Sequence, residues 1–116
     1  MFKFETLDIW KNSVLFTVEI YRLTKTFPKE EMFGLTSQLK RSVVSISLNI
    51  AEGSTSQSNA EFKKFLGYAI RSCAEVIACL HMGKKRRLIE EMDFHRFYGG
   101  YEEVFKMTQG LKRSLN

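Results

Sequence analysis

The chain has 116 residues, which is enough for one hydrophobic core and too few for two, so residues 1–116 are predicted to form a single domain. Its 44% hydrophobic and 27% charged residues exclude a disordered or fibrous protein. One proline and seven glycines favour long helices, since proline is expelled from helix interiors. The formal net charge is +5, and residues 59–116 carry most of the cationic excess.

Two further features concern the cellular compartment. No uninterrupted apolar run reaches the roughly 18 residues of a membrane span, and the N-terminus lacks the basic-then-apolar pattern of a signal peptide. Cys73 and Cys79 lie on one predicted helix about 120° apart around its axis, so they cannot form a disulfide with each other. We therefore expect free thiols, a cytoplasmic location and no membrane partner.

The first helix is predicted at about residues 5–26, because Pro28 ends the helical pattern. It is unusual in having two apolar faces. One face comprises Leu7, Trp10, Val14, Val18 and Tyr21. The face nearly opposite comprises Ile9, Phe16, Ile20, Leu23 and Phe27. A helix that is apolar on two sides must be covered on both, so we expect the first face to enter the bundle and the second to form an interface in a homo-oligomer.

The second helix is predicted at residues 35–52 and carries a continuous apolar stripe of Leu35, Leu39, Val43, Ile46 and Ile50. Gly53 is expected to end it in the left-handed conformation. A polar row runs beside the stripe and comprises Arg41, Ser45, Asn49 and Glu52. Such a row could bind a ligand, but a structural polar network is the favoured interpretation. Glu52 is expected to have a cationic or amide partner, on another helix or in another subunit, because the helix dipole disfavours an anion at its position.

The third and fourth helices are predicted at residues 58–86 and 90–114. Ser58 and Glu61 form a capping box at the start of the third helix. Gly99 and Gly100 interrupt the fourth, which predicts a kink or a close helix contact. Because the four helices are joined by short links, the predicted fold is an all-α, antiparallel up-down-up-down four-helix bundle.

The sequence contains no catalytic or metal-binding pattern. His81 and His95 stand alone, no serine has a histidine base on its helix, and the Glu-x-x-His repeat of di-iron bundles is absent. Phosphate-binding loop and dinucleotide fingerprints are also absent. We therefore predict a non-enzymatic protein without a metal, a cofactor or a small-molecule substrate.

Clustered cations are the best functional candidate in the sequence. Lysines and arginines of this kind bind RNA or DNA by releasing condensed counterions. The predicted nucleic-acid-binding residues are Lys64, Arg71, Lys84, Lys85, Arg86 and Arg87. The same cations could serve solubility alone at a solvated helix end, so the alternative is a structural or protein-interaction module without nucleic-acid binding.

Several stretches resemble a known family. They are Phe27-Pro-Lys-Glu-Glu31, Gly34-Leu-Thr-Ser-Gln-Leu-Lys-Arg41, Ser45-Ile-Ser-Leu-Asn-Ile-Ala-Glu-Gly53 and Glu61-Phe-x-x-Phe-Leu66. Over about Phe4 to Glu75 the chain resembles the four-helix-bundle proteins encoded by intervening sequences in bacterial 23S ribosomal RNA genes. The resemblance implies a ring-shaped assembly, commonly a pentamer, of unsettled role. It also extends to accessory proteins of diversity-generating retroelements, whose basic pentamers are thought to hold nucleic acid and a reverse transcriptase.

The chain departs from the family pattern in the loop after Gly53. The family usually has glycine and arginine there, whereas this chain has Ser54-Thr-Ser-Gln57. The usual Gly-Ser-x-x-Glu of the third helix is Arg71-Ser-Cys-Ala-Glu75. The loop change removes cations from one surface, so the resemblance supports the fold more directly than it supports nucleic-acid binding.

Overall fold

Four α-helices account for most of the computed structural model, which describes residues 1–116 and contains no strand. The helices are α1 (Asp8–Thr24), α2 (Leu35–Ser54), α3 (Asn59–Lys85) and α4 (Glu91–Ser114). Short 3-10 turns at Lys3–Thr6 and Lys29–Glu31 precede α1 and α2. The predicted helices are confirmed with ends that differ by a few residues. The largest difference is at α1, because extended Leu7 separates its start from the 3-10 turn.

Contacts between neighbouring helices run in opposite chain directions. The Thr17 hydroxyl of α1 faces the Val43 carbonyl of α2, and the Tyr21 ring faces Lys40. Later residues of α1 thus meet earlier residues of α2, so the two helices are antiparallel. Asn59, at the start of α3, donates a hydrogen bond of 3.1 Å to the carbonyl of Asn116, beyond the end of α4. The helices pack in the order α1, α2, α3, α4 and back to α1, within extents of 43 × 22 × 21 Å. This is the predicted antiparallel bundle.

The apolar stripe of α2 lies in the core, where Leu39, Val43, Ile46 and Ile50 are fully buried. Helix α3 packs against both α2 and α4. By length and composition alone α3 would also pass as a membrane-spanning helix, although Arg71 and Glu75 lie within it. One side of α3, with Phe62, Leu66, Val76 and Leu80, lies in the bundle core.

The apolar face of α1 that was predicted to form an oligomer interface lies in the core instead. Ile9, Ile20 and Phe27 are buried in the subunit's own core, and Phe16 and Leu23 pack against that core. The predicted oligomer interface of Ile9, Phe16, Ile20, Leu23 and Phe27 is therefore wrong, because these side chains are already covered within one chain.

The other face of α1 is divided, since Leu7 and Trp10 pack against the core whereas Val18 and Tyr21 are exposed. The side chain of Val18 is 47% exposed and that of Tyr21 is 38% exposed. They line two adjoining shallow hollows together with Val44 and Leu48 of α2, and Leu48 is 61% exposed. We call Val18, Tyr21, Val44 and Leu48 the outer strip. It is a row of apolar side chains exposed to solvent, with Lys40 over the Tyr21 ring and other polar residues at its edges.

Glycines allow close approach of helices at two ends of the core. Gly53 is helical, because α2 continues to Ser54 and no glycine has a positive φ, so its predicted left-handed conformation is wrong. A Cβ at Gly53 would lie 2.7 Å from the Cβ of Phe65. A Cβ at Gly100 would lie 2.2 Å from the Cζ of Phe16. The predicted close contact is thus confirmed at Gly100, and α4 runs through both glycines as one helix.

Candidate nucleic-acid interface

Two of the predicted nucleic-acid-binding residues lie in a groove between α3 and α4. Lys64 and Arg71 lie on the same face of α3, and the C-terminal turns of antiparallel α4 lie opposite them. The groove has a volume of about 790 Å³. We call it the α3–α4 groove, and its lining residues are Lys63, Lys64, Gly67, Tyr68, Ile70, Arg71, Gln109, Lys112 and Arg113.

The five cations of the α3–α4 groove have no carboxylate among the lining residues, and none forms an ion pair within the chain. Lys112 reaches across to α3, where its Nζ would lie 3.3 Å from a Cβ added at Gly67. Because glycine has no side chain, the ammonium group can lie against the α3 backbone. Five unneutralised cations in one concavity create a positive potential suited to phosphate groups.

Tyr68 is the one aromatic residue that lines the groove. Its ring packs edge-on against Phe65, with ring centroids 5.7 Å apart and an interplanar angle of 89°. The guanidinium carbon of Arg71 is 6.0 Å from the centroid of the same ring. These contacts hold the Tyr68 ring among the cations.

The run from Lys84 to Arg87 lies elsewhere and is partly neutralised within the chain. Lys84 Nζ is 3.0 Å from Glu91 Oε2 and 4.5 Å from the centroid of the Phe94 ring. Arg86 Nη1 donates a hydrogen bond to Glu31 Oε2, and Leu35 N donates one of 3.3 Å to Glu31 Oε1. The bond from Arg86 is the main reason that the pKa of Glu31 is lowered, and the bond from Lys84 likewise lowers the pKa of Glu91.

The end of α3 explains why this run turns away from the helix. Arg87 has a φ of 62°, its N–H donates to the carbonyl of Lys84 at 3.0 Å, and the N–H of Leu88 donates to the carbonyl of Gly83 at 2.8 Å. This is a Schellman motif with arginine at the position where glycine is usual. Lys85 and Arg87 are exposed without ion pairs, beside His81, in a hollow of about 470 Å³.

The six predicted cations therefore occupy two places rather than one continuous surface. Lys64 and Arg71 line the α3–α4 groove, whereas Lys85 lies about 21 Å beyond Arg71 at about 1.5 Å per helical residue. Lys84 and Arg86 are engaged in ion pairs. The α3–α4 groove consequently holds five unpaired cations, against two in the hollow at the end of α3.

The predicted polar network of Arg41, Ser45, Asn49 and Glu52 is joined only in part. Asn49 Nδ2 donates to Ser45 Oγ at 3.0 Å, and Ser72 Oγ of α3 donates to the same oxygen at 2.9 Å. Arg41 and Glu52 are exposed and form no ion pair or side-chain hydrogen bond. Glu52 shares its hollow with Lys40, Arg41 and Asn49 but forms no ion pair or side-chain hydrogen bond with them, so a partner for Glu52 in another subunit stays a prediction.

A second polar cluster between α2 and α3 was missed. Glu75 Oε2 accepts hydrogen bonds from Gln38 Nε2 at 2.9 Å and from Ser42 Oγ at 3.3 Å. Gln38 and Ser42 lie one turn apart on α2, but the pairing with Glu75 depends on the register of two helices, which periodicity within one helix does not give.

The two cysteines and two histidines form no reactive cluster. Burial raises the pKa of the Cys73 thiol to about 12 and also raises the pKa of Cys79, so both stay protonated and unreactive near neutral pH. His81 contacts the rings of Phe94 and Tyr98, and His95 Nε2 lies 3.4 Å from Glu91 Oε2. Nowhere do three histidine, cysteine or acidic side chains converge as a metal site would require.

Comparison with known families agrees with this geometry. Residues 5–110 match the model of the 23S rRNA-intervening sequence protein family. The chain belongs to this family. A crystal structure of a protein of unknown function from the S23 ribosomal protein family of Bacteroides thetaiotaomicron is similar to this intervening-sequence protein, with a TM-score of 0.84 and 25% sequence identity. The similarity covers 90% of this chain and 97% of that one. No curated protein matches this chain.

Sequence reasoning on this intervening-sequence protein found two of the five cations of the groove. Lys64 and Arg71 were identified because they share a face of one helix. Lys112 and Arg113 were missed because they are about 45 residues away in sequence, and Tyr68 because it resembles a core aromatic. Clustering of cations near the end of α4 was the available signal, and it becomes informative once the antiparallel order places that end beside the start of α3.

Proposed function

We propose that this protein is a non-enzymatic, self-assembling helical bundle that binds RNA or DNA through the α3–α4 groove. The observation that carries the proposal is the set of five cations in that groove that no carboxylate neutralises. Retaining unpaired like charges in one concavity costs stability through self-repulsion. A polyanionic partner relieves that repulsion and releases its own counterions. The cytoplasm is the proposed location.

Self-assembly is proposed to use the outer strip of α1 and α2. Val18, Tyr21 and Leu48 are exposed on one side of the bundle, and Arg41 and Lys40 flank them. Burying adjoining apolar side chains between copies removes them from water at about 25 cal/mol per Å². The resemblance described above favours a pentamer. In such an assembly the α3–α4 groove is on the opposite side of each bundle from the outer strip and stays accessible.

The second candidate function is a protein-interaction module without a nucleic-acid role. The observation that favours it is that two of the six predicted cations, Lys84 and Arg86, form ion pairs inside the chain. In that case the remaining cations keep the protein soluble and the outer strip binds a partner protein.

A binding assay with matched charge reversals tests the nucleic-acid proposal. The groove variant carries Lys64→Glu and Lys112→Glu. The control carries Lys11→Glu and Lys29→Glu, which change the net charge equally at exposed positions outside the groove. We expect the groove variant to bind fluorescent RNA about tenfold or more weakly at physiological salt, with a shallower salt dependence. We expect the control to bind nearly as wild type.

A third variant tests whether cations outside the α3–α4 groove contribute to RNA binding. Lys85→Glu with Arg87→Glu reverses the two unpaired cations of the other hollow. Equal weakening in the groove, control and Lys85/Arg87 variants would mean that overall charge alone governs binding. That result, or an absence of wild-type binding at physiological salt, contradicts the proposal and favours the protein-interaction module.

The assembly proposal is tested by light scattering coupled to gel filtration. The wild type is expected to have a mass that is a multiple of 13.5 kDa. Val18→Glu with Leu48→Glu should return it to a single chain, because charges would then be buried at the interface. Leu15→Glu is the matched control, since Leu15 is 64% exposed but lines neither hollow of the outer strip. A 13.5 kDa wild type would refute self-assembly.

A further inference from the structure

The shape of the α3–α4 groove restricts what can enter it. The groove is the cleft between two packed helices, whose axes in such a pair are about 8–10 Å apart. A nucleic-acid double helix is far wider than this cleft, since its major groove alone is about 12 Å across. A duplex can therefore contact only the rim of this cleft. A single strand can lie within it.

Tyr68 gives the groove a second kind of contact. Nucleobases stack on aromatic rings whatever their sequence, and cations beside the ring hold the backbone. Tyr68 is half-buried in the groove, with Arg71 on its own helix and Lys112 on the opposite one. The ring packs in a T-shaped contact with Phe65 and has the Arg71 guanidinium over it at 6.0 Å, and part of its surface stays open to the groove. Aromatic and cationic groups thus alternate across one cleft.

The length of the cation cluster sets the size of the site. Lys63 and Arg71 are eight residues apart on α3, or about 12 Å at about 1.5 Å per residue. One strand of a double helix advances about 3.4 Å along the axis per nucleotide, and an extended single strand advances further, so this length accommodates at most about three nucleotides. Lys112, lying against Gly67, is placed to meet the middle of such a segment.

We propose that the α3–α4 groove binds single-stranded nucleic acid in preference to duplex, with one base stacked on Tyr68 and the neighbouring phosphates held by Lys64, Arg71 and Lys112. This inference rests on the proposed function and specifies its ligand. RNA and DNA single strands share the required chemistry, a base flanked by phosphates.

The test compares four fluorescent ligands in an anisotropy titration. They are a 12-nucleotide RNA, a DNA of the same sequence, and each annealed to its complement. We expect both single strands to bind at least about tenfold more tightly than their duplexes at physiological salt. The ratio between the RNA and DNA single strands shows which of the two sources is preferred.

Substitutions at Tyr68 separate stacking from charge. Tyr68→Leu should weaken single-strand binding about 5- to 100-fold while the slope of log affinity against log salt stays unchanged. Tyr68→Phe keeps the ring and should bind within about twofold of wild type. Lys112→Ala should instead lower the slope by about 0.7. Thermal unfolding of each variant verifies that the bundle is folded.

The outcomes distinguish this inference from the proposed function. If duplexes bind as tightly as single strands, or Tyr68→Leu binds as wild type, the single-strand inference is overturned while salt-dependent binding through the groove stands. If neither single strands nor duplexes bind, the proposed function itself is overturned.

Discussion

Two adjacent glycines of α4 provide the sharpest test of the packing. Gly99 and Gly100 are each flanked by one glycine and one tyrosine, and both are helical. A Cβ at Gly99 would meet nothing within 4 Å, whereas a Cβ at Gly100 would lie 2.2 Å from Phe16 Cζ and 2.7 Å from both of its Cε atoms. Gly99→Ala and Gly100→Ala therefore make the same chemical change in opposite environments.

The expected magnitudes follow from helix propensity and overpacking. Alanine is about 1 kcal/mol more favourable than glycine inside a helix, so Gly99→Ala should raise the free energy of unfolding by about that amount. The entropy of unfolding is about 2.1 cal/mol/K per residue, so for 116 residues this gain raises Tm by about 4 °C.

At Gly100 the same gain is opposed by a steric cost. The Phe16 ring must move by more than about 1 Å to reach van der Waals contact. That ring packs against Tyr101 and Phe97, with centroids 5.3 Å and 6.3 Å away. Overpacking of this kind costs about 1–3 kcal/mol. Gly100→Ala should therefore unfold about 4–12 °C below Gly99→Ala.

Thermal unfolding followed by circular dichroism measures both variants. A third measurement uses Phe16→Ala as the background, where the obstructing ring is absent. There Gly100→Ala should stabilise the protein as Gly99→Ala does in the wild type. If Gly100→Ala raises Tm by the same amount as Gly99→Ala in the wild type, the packing of Phe16 on Gly100 is refuted.

Three further predictions concern the free energy of unfolding. The Tyr101 hydroxyl is buried without a hydrogen-bond partner, so Tyr101→Phe should stabilise the protein by about 1 kcal/mol in urea denaturation; a loss of stability would reveal a partner for that hydroxyl. Arg87→Gly should add about 1 kcal/mol, because φ is 62° there and L-residues are strained at that value, and an unchanged urea midpoint would contradict this. Glu31 has a pKa below its ordinary 4.5 owing mainly to Arg86, so its charge stabilises the fold above pH 4.5 and that contribution is lost as the pH falls through its lowered pKa. Glu31→Gln should destabilise the protein at pH 7, and its difference from wild type should shrink on acidification; a constant difference would contradict the ion pair.

The sequence predicted those residues of the candidate site that share a face of one helix. It did not predict the contacts that depend on how two helices pack together. Lys64 and Arg71 share a face because of the helical repeat, and the sequence is sufficient to say so. Their partnership with Lys112 needs the register of α3 against α4. The opposite error concerns Lys84 and Arg86, which look like free cations in a basic run. Glu91 and Glu31, the carboxylates that neutralise them, belong to other segments of the chain.

The sequence by itself determined that four helices form, where each begins and ends within a few residues, and that they pack as an antiparallel bundle. Helical periodicity, the single proline and the capping serine at position 58 are local properties, and each acts within a few residues. Only the tertiary structure decided which apolar face of α1 enters the core. The buried face contains Ser13 and Thr24, which look polar in the sequence. Their hydroxyls donate hydrogen bonds to the carbonyls three residues earlier, at 2.8 Å and 3.0 Å, so they enter the core with their donors satisfied.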